Sequence, residues 1–218
     1  PTFLPPCNSH PLPPRPFPPS AGDASVGKTS IIKRFVHGIF SSNYKATIGV
    51  DFALKVVQWD DNTVVRLQLW DIAGQERYGN MTRVYFRESV GGFVVFDVTA
   101  RKSFEAVERW LSDLVEKVRL PSGEPIPIVL LANKVDLLDD EGEAFMKDEE
   151  LAELVGRFGI TAVFATSAKQ DIGINEASSA LIEAILENER AGQMATAKEE
   201  EAVTVSGNDP APAKKGCC

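Results

Sequence analysis

Gly22-Asp23-Ala24-Ser25-Val26-Gly27-Lys28-Thr29 is the stretch on which the reading of this chain turns, and it fits the spacing G-x-x-x-x-G-K-[ST]. Glycines let such a loop curl until consecutive N–H groups point inward at phosphate oxygens. Behind it Ile31, Ile32, Phe35, Val36 and Ile39 recur at helical spacing, so a helix runs from Lys28 to about Gly38. That helix turns the positive end of its dipole toward the loop. Ala24, Ser25, Val26 and Ser30 complete the stretch facing a nucleotide. Lys28 is a point charge for β- and γ-phosphates, and the Thr29 hydroxyl is a ligand for Mg²⁺. A chance glycine-rich turn beside a lysine looks the same in isolation, so the surrounding chain has to decide.

Outward from the loop, Val50 to Trp59 and Thr63 to Trp70 are rich in β-branched and aromatic residues and flank the turn Asp60-Asp61-Asn62. They read as an antiparallel hairpin. A strict alternation follows. Gly91 to Phe96 and Ile126 to Ala132 are short, continuously apolar strands, as a parallel sheet covered on both faces requires, and Val163 to Ala165 is a third. Between them Phe104, Val107, Leu111, Leu114, Val115 and Val118 form a helical stripe, and Leu151, Leu154, Val155 and Phe158 another, stopped by Gly159. Ala177, Leu181, Ile182 and Ile185 carry the last helix. Strands alternating with helices predict right-handed βαβ units in an α/β domain.

Further motifs fall at strand-to-loop junctions, where open α/β sheets hold ligands. Asn133-Lys134-Val135-Asp136 ends a buried strand. A carboxylate at Asp136 accepts two hydrogen bonds from guanine N1–H and its exocyclic amine, a donor pair adenine lacks. Ser167-Ala168-Lys169 after the next strand puts backbone N–H groups near the base oxygen. Trp70-Asp71-Ile72-Ala73-Gly74-Gln75-Glu76 ends the hairpin. There Asp71 suits Mg²⁺ through water, the Gly74 N–H suits the γ-phosphate, and Gln75 can orient an attacking water as the catalytic residue. Thr47, in a polar loop, can close on Mg²⁺ and γ-phosphate. Each signal alone also fits an ordinary polar turn; their order along the chain is what weighs.

Composition sets the outer bounds. The 218 residues suit one α/β domain with tails, and a net charge of −8 argues against general nucleic-acid binding. No apolar run reaches the roughly 18–20 residues of a membrane-spanning helix. Cys7, Cys217 and Cys218 are too few and too placed at the ends for a disulfide scaffold, and fit a reducing compartment.

With these motifs in place the chain resembles the Ras-like small GTPases and, within them, the Rab family, over about Gly22 to Asn188 plus the final two residues. Ile48-Gly49-Val50-Asp51-Phe52, Arg66 to Trp70, and Glu76 to Arg87 carry the Rab likeness. Ile72 in place of the usual threonine and the insertion Leu120 to Pro127 resemble the subgroup serving lysosome-related organelles such as melanosomes. The resemblance implies a P-loop NTPase fold: a mostly parallel six-stranded sheet with one antiparallel hairpin strand and helices on both faces. It implies GTP or GDP as bound nucleotide with Mg²⁺, Phe40 edge-on to the guanine, and Phe52, Trp70 and Tyr85 as an aromatic triad read by effectors. Ordinary core packing is compatible with those same rings.

The implied partners are an exchange factor, a GTPase-activating protein, a GDP dissociation inhibitor, a prenylation escort protein and GTP-state effectors, with the switch itself a monomer. No arginine in residues 22–29 or beside Gln75 is obviously placed to stabilise transferred charge, so a slow intrinsic rate with catalytic groups supplied in trans is expected. Cys217-Cys218 resembles a double geranylgeranyl signal, and two lipid chains hold a membrane where one does not. The expected location is the cytoplasmic face of intracellular membranes (lysosome-related organelles, endosomes, trans-Golgi vesicles), with cycling through the cytosol.

One feature cuts against the family pattern. Nine of the 14 prolines fall in the first 19 residues, where relatives run a buried strand into the loop. Proline donates nothing to a sheet ladder, so the first, central strand is expected to be missing or replaced by this segment. The expected division is residues 1–21, disordered or a gene-model artefact; residues 22–189, the GTPase domain; and residues 190–218, a disordered tail. Pro1 suggests a fragment or conceptual translation, with an incorrect or alternative exon joined at Gly22. Pro11-Leu12-Pro13-Pro14 also fits a P-x-x-P ligand. The alternative function is a truncated product that binds no nucleotide and serves at most as an interaction protein. An ATP-dependent P-loop enzyme is the third reading, and Asn133, Lys134 and Asp136 speak against it.

Overall fold

The computed structural model describes residues 15–43, 45–74, 89–138 and 149–206. Gln75 and the whole Glu76 to Arg87 stretch, Tyr85 included, lie outside the described residues, as do Cys7, the P-x-x-P segment, Cys217 and Cys218. Among the described residues the strands are β1 (Arg15–Ala21), β2 (Val50–Gln58), β3 (Val64–Ile72), β4 (Gly92–Asp97), β5 (Ile128–Asn133) and β6 (Ala162–Thr166). The helices are α1 (Lys28–His37), α2 (Arg101–Glu105), α3 (Val107–Lys117), α4 (Glu149–Phe158) and α5 (Ile174–Ser206). The strands form one sheet in the order β2-β3-β1-β4-β5-β6, with β2 antiparallel to β3 and every other pair parallel.

The hairpin closes as its turn residues dictate. Trp59 N–H donates to the Thr63 carbonyl at 2.9 Å, and the Asp60 carboxylate accepts from the Asn62 N–H at 2.9 Å. Every residue of β4 and β5 is buried, the signature of strands covered on both faces. Val94, Phe96, Leu130 and Ile128 pack with Leu111 and Leu114 of α3 in the main core. The apolar stripe expected as a single helix from Phe104 to Val118 is interrupted at Ala106, which separates α2 from α3.

The expectation of a missing first strand does not hold. Arg15–Ala21 is a strand in the centre of the sheet, between β3 and β4. Proline's fixed φ lies within the extended region, so the backbone can run straight and still offer carbonyls; only the N–H donors are lost. The register carries the mark of that loss. Pro16 pairs with Gln68 but Pro19 pairs with Trp70, so three steps on β1 answer two on β3 in a bulge. Pairing with β4 is confined to Ser20 and Ala21, the two residues that follow the last proline and lead into the loop.

The C-terminal expectation also changes. The chain from Arg190 to Ser206, read as disordered, continues α5. Ala, Glu, Lys, Gln and Met dominate that stretch and favour a helix without needing a core to hold it. The chain divides into two compact units, Pro1–Ile185, which holds the sheet, and Leu186–Cys218, which holds the distal part of α5. Among the described residues no helix is long and apolar enough to cross a membrane.

Candidate functional site

The C-terminal ends of β1, β5 and β6 and the start of α1 surround a cleft of about 500 Å³. Ala24, Ser25, Gly27, Lys28, Thr29, Ser30, Phe40, Thr47, Gly74, Asn133, Lys134, Asp136, Ala168 and Lys169 all line it. Gly22 and Val26 are buried behind the loop, and Asp71 and Ser167 support residues in front of them. The sequence motifs, up to 147 residues apart, therefore meet at one place.

The loop owes its curl to positive φ at three positions, Gly22 (144°), Ser25 (67°) and Gly27 (103°). A Cβ at Gly22 would sit 2.3 Å from the Val95 carbonyl oxygen, and one at Gly27 would sit 2.2 Å from Asn133 Nδ2. Asn133 uses that proximity: its side-chain amide donates to the Val26 carbonyl at 2.8 Å and accepts from Thr166 Oγ1 at 3.3 Å. It is a strut beneath the phosphate loop. Gly74 presses from the other side, where a Cβ would lie 2.4 Å from both the Ala24 nitrogen and the Asp23 carbonyl carbon. Those are backbone atoms with nowhere to go. Gly74→Ala is expected to cost about 1–3 kcal/mol of stability, read in a urea unfolding curve.

Lys28 is only 6% exposed. Its ammonium donates to the carbonyls of Gly22 (2.8 Å) and Asp23 (2.6 Å). Burial lowers its pKa from 10.5 to about 8, with Asp71 and Asp23 pulling the other way. Beside it Thr29 Oγ1 donates to Asp71 Oδ2 at 2.5 Å. Thr47 Oγ1 lies 2.8 Å from Thr29 Oγ1 and donates to the same carboxylate oxygen at 3.2 Å. Burial raises the Asp71 pKa, and the Thr29 bond, the Lys28 charge and the Thr47 bond only partly offset it. Asp71 Oδ1 is buried with no hydrogen-bond partner among the described residues. Two hydroxyls and a carboxylate with an unused oxygen form a donor set suited to a hard divalent cation.

At the far end of the cleft the Asp136 side chain is 4% exposed; Ser167 Oγ donates to it at 2.6 Å and Lys169 Nζ stands 3.6 Å away. Lys134 takes a left-handed conformation (φ 71°) and forms an ion pair with Asp97 at 2.6 Å. Burial pushes the Asp97 carboxyl upward, but bonds from Lys134 and Thr99 outweigh it and hold the pKa below the ordinary value. Phe52 and Trp70 are direct cross-strand partners with ring centroids 5.5 Å apart, and Phe52 is exposed.

Four contributors lie outside the sequence motifs. Asp97 holds Lys134. Trp110 Nε1 and Arg109 each donate to Asp23 Oδ1 at 2.9 Å, tying α3 to the phosphate loop. Arg34 reaches from α1 to the carbonyls of Ala168 and Lys169. No local pattern announces such ties.

Strand order and loop positions together define a small guanine-nucleotide-binding protein of Ras-like fold. Residues 21–187 match the Ras family. The chain is 58% identical over 167 residues to Ras-related protein Rab-32 of Sus scrofa, covering 77% of this chain and 73% of that one. It is 55% identical over 170 residues to Rab-32A of Dictyostelium discoideum (77% and 76% covered), and 48% identical over 174 residues to Rab-7L1 of Rattus norvegicus (78% and 81%). The chain belongs to the Ras family and is a Rab small GTPase, grouping with Rab-32 and Rab-7L1. Such a protein hydrolyses GTP and works as a GTP-binding trafficking switch at intracellular membranes, answering to regulators and effectors.

Proposed function

We propose that this chain cycles between GTP and GDP in the cleft, gathers effectors in the GTP state, and serves lysosome-related organelles. The observation that carries the reading is the convergence of Thr29, Thr47 and Asp71 beside Lys28, in the same cleft that Asp136 lines. In this reading the N–H groups of residues 22–29 and the Lys28 ammonium hold the phosphates, and Ser30 extends the α1 end of that cradle. Phe40 stands edge-on to the base, Asp136 accepts its N1–H and amine, and Ser167 to Lys169 face its oxygen. Asn133 and Lys134 keep those walls in place.

Thr29, Thr47 and Asp71 are the residues that would hold Mg²⁺, and Asp71 Oδ1, without a partner among the described residues, is where the fit is most evident. When bound, Mg²⁺ would supply charge that neutralises the phosphates. Gln75 orients the attacking water, and an activating protein supplies the remaining catalytic groups. The γ-phosphate orders the segments around Thr47 and around Gly74 to Tyr85, which presents Phe52, Trp70 and Tyr85 to effectors; hydrolysis releases them. Exchange factor, GDP dissociation inhibitor and prenylation escort complete the cycle, and lipid on Cys217 and Cys218 secures the membrane.

Purified protein should release close to one guanine nucleotide per chain on denaturation, quantified by ion-pair chromatography. In competition GTP should displace a fluorescent guanine probe at concentrations where ATP does not. Empty protein with a broad, non-cooperative melt would instead favour the product that binds no nucleotide.

A further inference from the structure

Arg34 stands in the last turn of α1, and its guanidinium serves three carbonyls on two segments. Nη1 donates to Gly38 at 2.8 Å, Nε to Ala168 at 2.9 Å and Nη2 to Lys169 at 3.1 Å. Gly38 caps α1 and directly precedes Ile39 and Phe40, which line one wall of the cleft; Ala168 and Lys169 line the other. The 167–169 loop is closed at its base by Ser167 N–H to the Ile172 carbonyl (3.0 Å) and the reverse bond (3.1 Å). Its next two carbonyls lean on Arg34 instead.

We infer that Arg34 is a positioning residue for guanine recognition, a fork that sets the direction of the Lys169 backbone N–H toward the base oxygen. The inference rests on the nucleotide reading above. A peptide unit is planar and trans, so fixing the Ala168 carbonyl fixes the Lys169 N–H in the same plane. The next plane is pinned at both ends, by Arg34 on the Lys169 carbonyl and by the Gln170 N–H donating to Ser167 Oγ at 3.0 Å. A planar guanidinium can satisfy three carbonyls in fixed directions, whereas a lysine ammonium is a point charge without that geometry. Because the same fork grips Gly38, it also sets the spacing between the Phe40 wall and the loop.

The test compares Arg34→Ala and Arg34→Lys with the unaltered chain in equilibrium competition using three diphosphates. GDP and IDP carry the base oxygen; 6-thio-GDP replaces it with sulfur, a poorer acceptor, while keeping N1–H and the amine. Arg34→Ala should weaken GDP and IDP by a common factor of about tenfold, and 6-thio-GDP by clearly less. Arg34→Lys, which keeps charge and most of the side-chain bulk, should fall between. Equal losses for all three diphosphates, or none, would overturn the inference and leave Arg34 as a general stabiliser of α1. Failure of the unaltered chain to bind GDP overturns the nucleotide reading itself, and with it this one.

Discussion

Replacing Lys28 by methionine is expected to lower guanine-nucleotide affinity about a thousandfold and to erase a rise in the stability of the empty protein between pH 8 and 10.5. The first effect follows from removing one partner of a desolvated charge–phosphate contact, which costs upward of about 4 kcal/mol. The second follows from burial. With its pKa lowered from 10.5 to about 8, Lys28 loses its proton in the folded chain before the unfolded one does. Between those values the unfolded state binds more protons, so stability rises with pH; the span is worth about 3 kcal/mol. Below pH 8 both states are protonated and the burial cost stands in full. The residue thus strains the empty protein, a cost that the proposed phosphate contact would offset. Phosphate charge should draw the proton back, so affinity should weaken as pH climbs past 8. Fluorescent GDP titration and urea unfolding of nucleotide-stripped protein at pH 7.5 and 9.5 read both effects. Parallel stability changes in the two proteins across that window would remove Lys28 as the source.

What could be read in advance was what is written locally. Gly22 to Thr29 is one contiguous loop, and the steric reasons for its glycines survive in the Cβ approaches at Gly22 and Gly27. The buried runs of β4 and β5 and the hairpin around Asp60 follow from two-residue and continuous apolar patterns with turn chemistry between. The ties that hold the cleft together were not legible, because Arg34 to Ala168 and Asp23 to Trp110 join residues 134 and 87 positions apart. No spacing rule connects them. The sharpest miss is β1. Proline content argues against a central strand, yet the position is dictated by β3 and β4 on either side, and Ser20 and Ala21 supply enough regular pairing to lead into the loop. Arg190 to Ser206 is the opposite case: low apolar content predicts disorder, whereas helix propensity alone extends α5.

Changing Pro16, Pro18 and Pro19 together to valine is expected to stabilise the protein by about 3 kcal/mol. Two effects oppose each other. Each proline limits the unfolded chain, which favours folding by about 0.4–1 kcal/mol at a compatible site. Each also withholds a ladder donor in the middle of the sheet, leaving a buried carbonyl on a neighbouring strand without its bond, at about 1–3 kcal/mol. The second effect is larger at every residue, and the pairing pattern shows where it acts. On the β4 side the ladder begins only at Ser20, and on the β3 side Leu69, buried at 3% exposure, lies opposite the bulge between Pro16 and Pro19. Restored N–H groups should extend the β4 ladder toward the start of β1 and regularise the β3 register. The midpoint of thermal unfolding should rise by roughly 6–12 °C. Hydrogen exchange should show new protection in β1 itself. Pro19→Val alone should capture a large share, since residue 19 adjoins the existing Ser20 pair and needs no rearrangement of the bulge. A triple variant that melts lower than the parent would mean that the fixed φ of the prolines outweighs the missing donors, and that β1 holds its central place through backbone preorganisation.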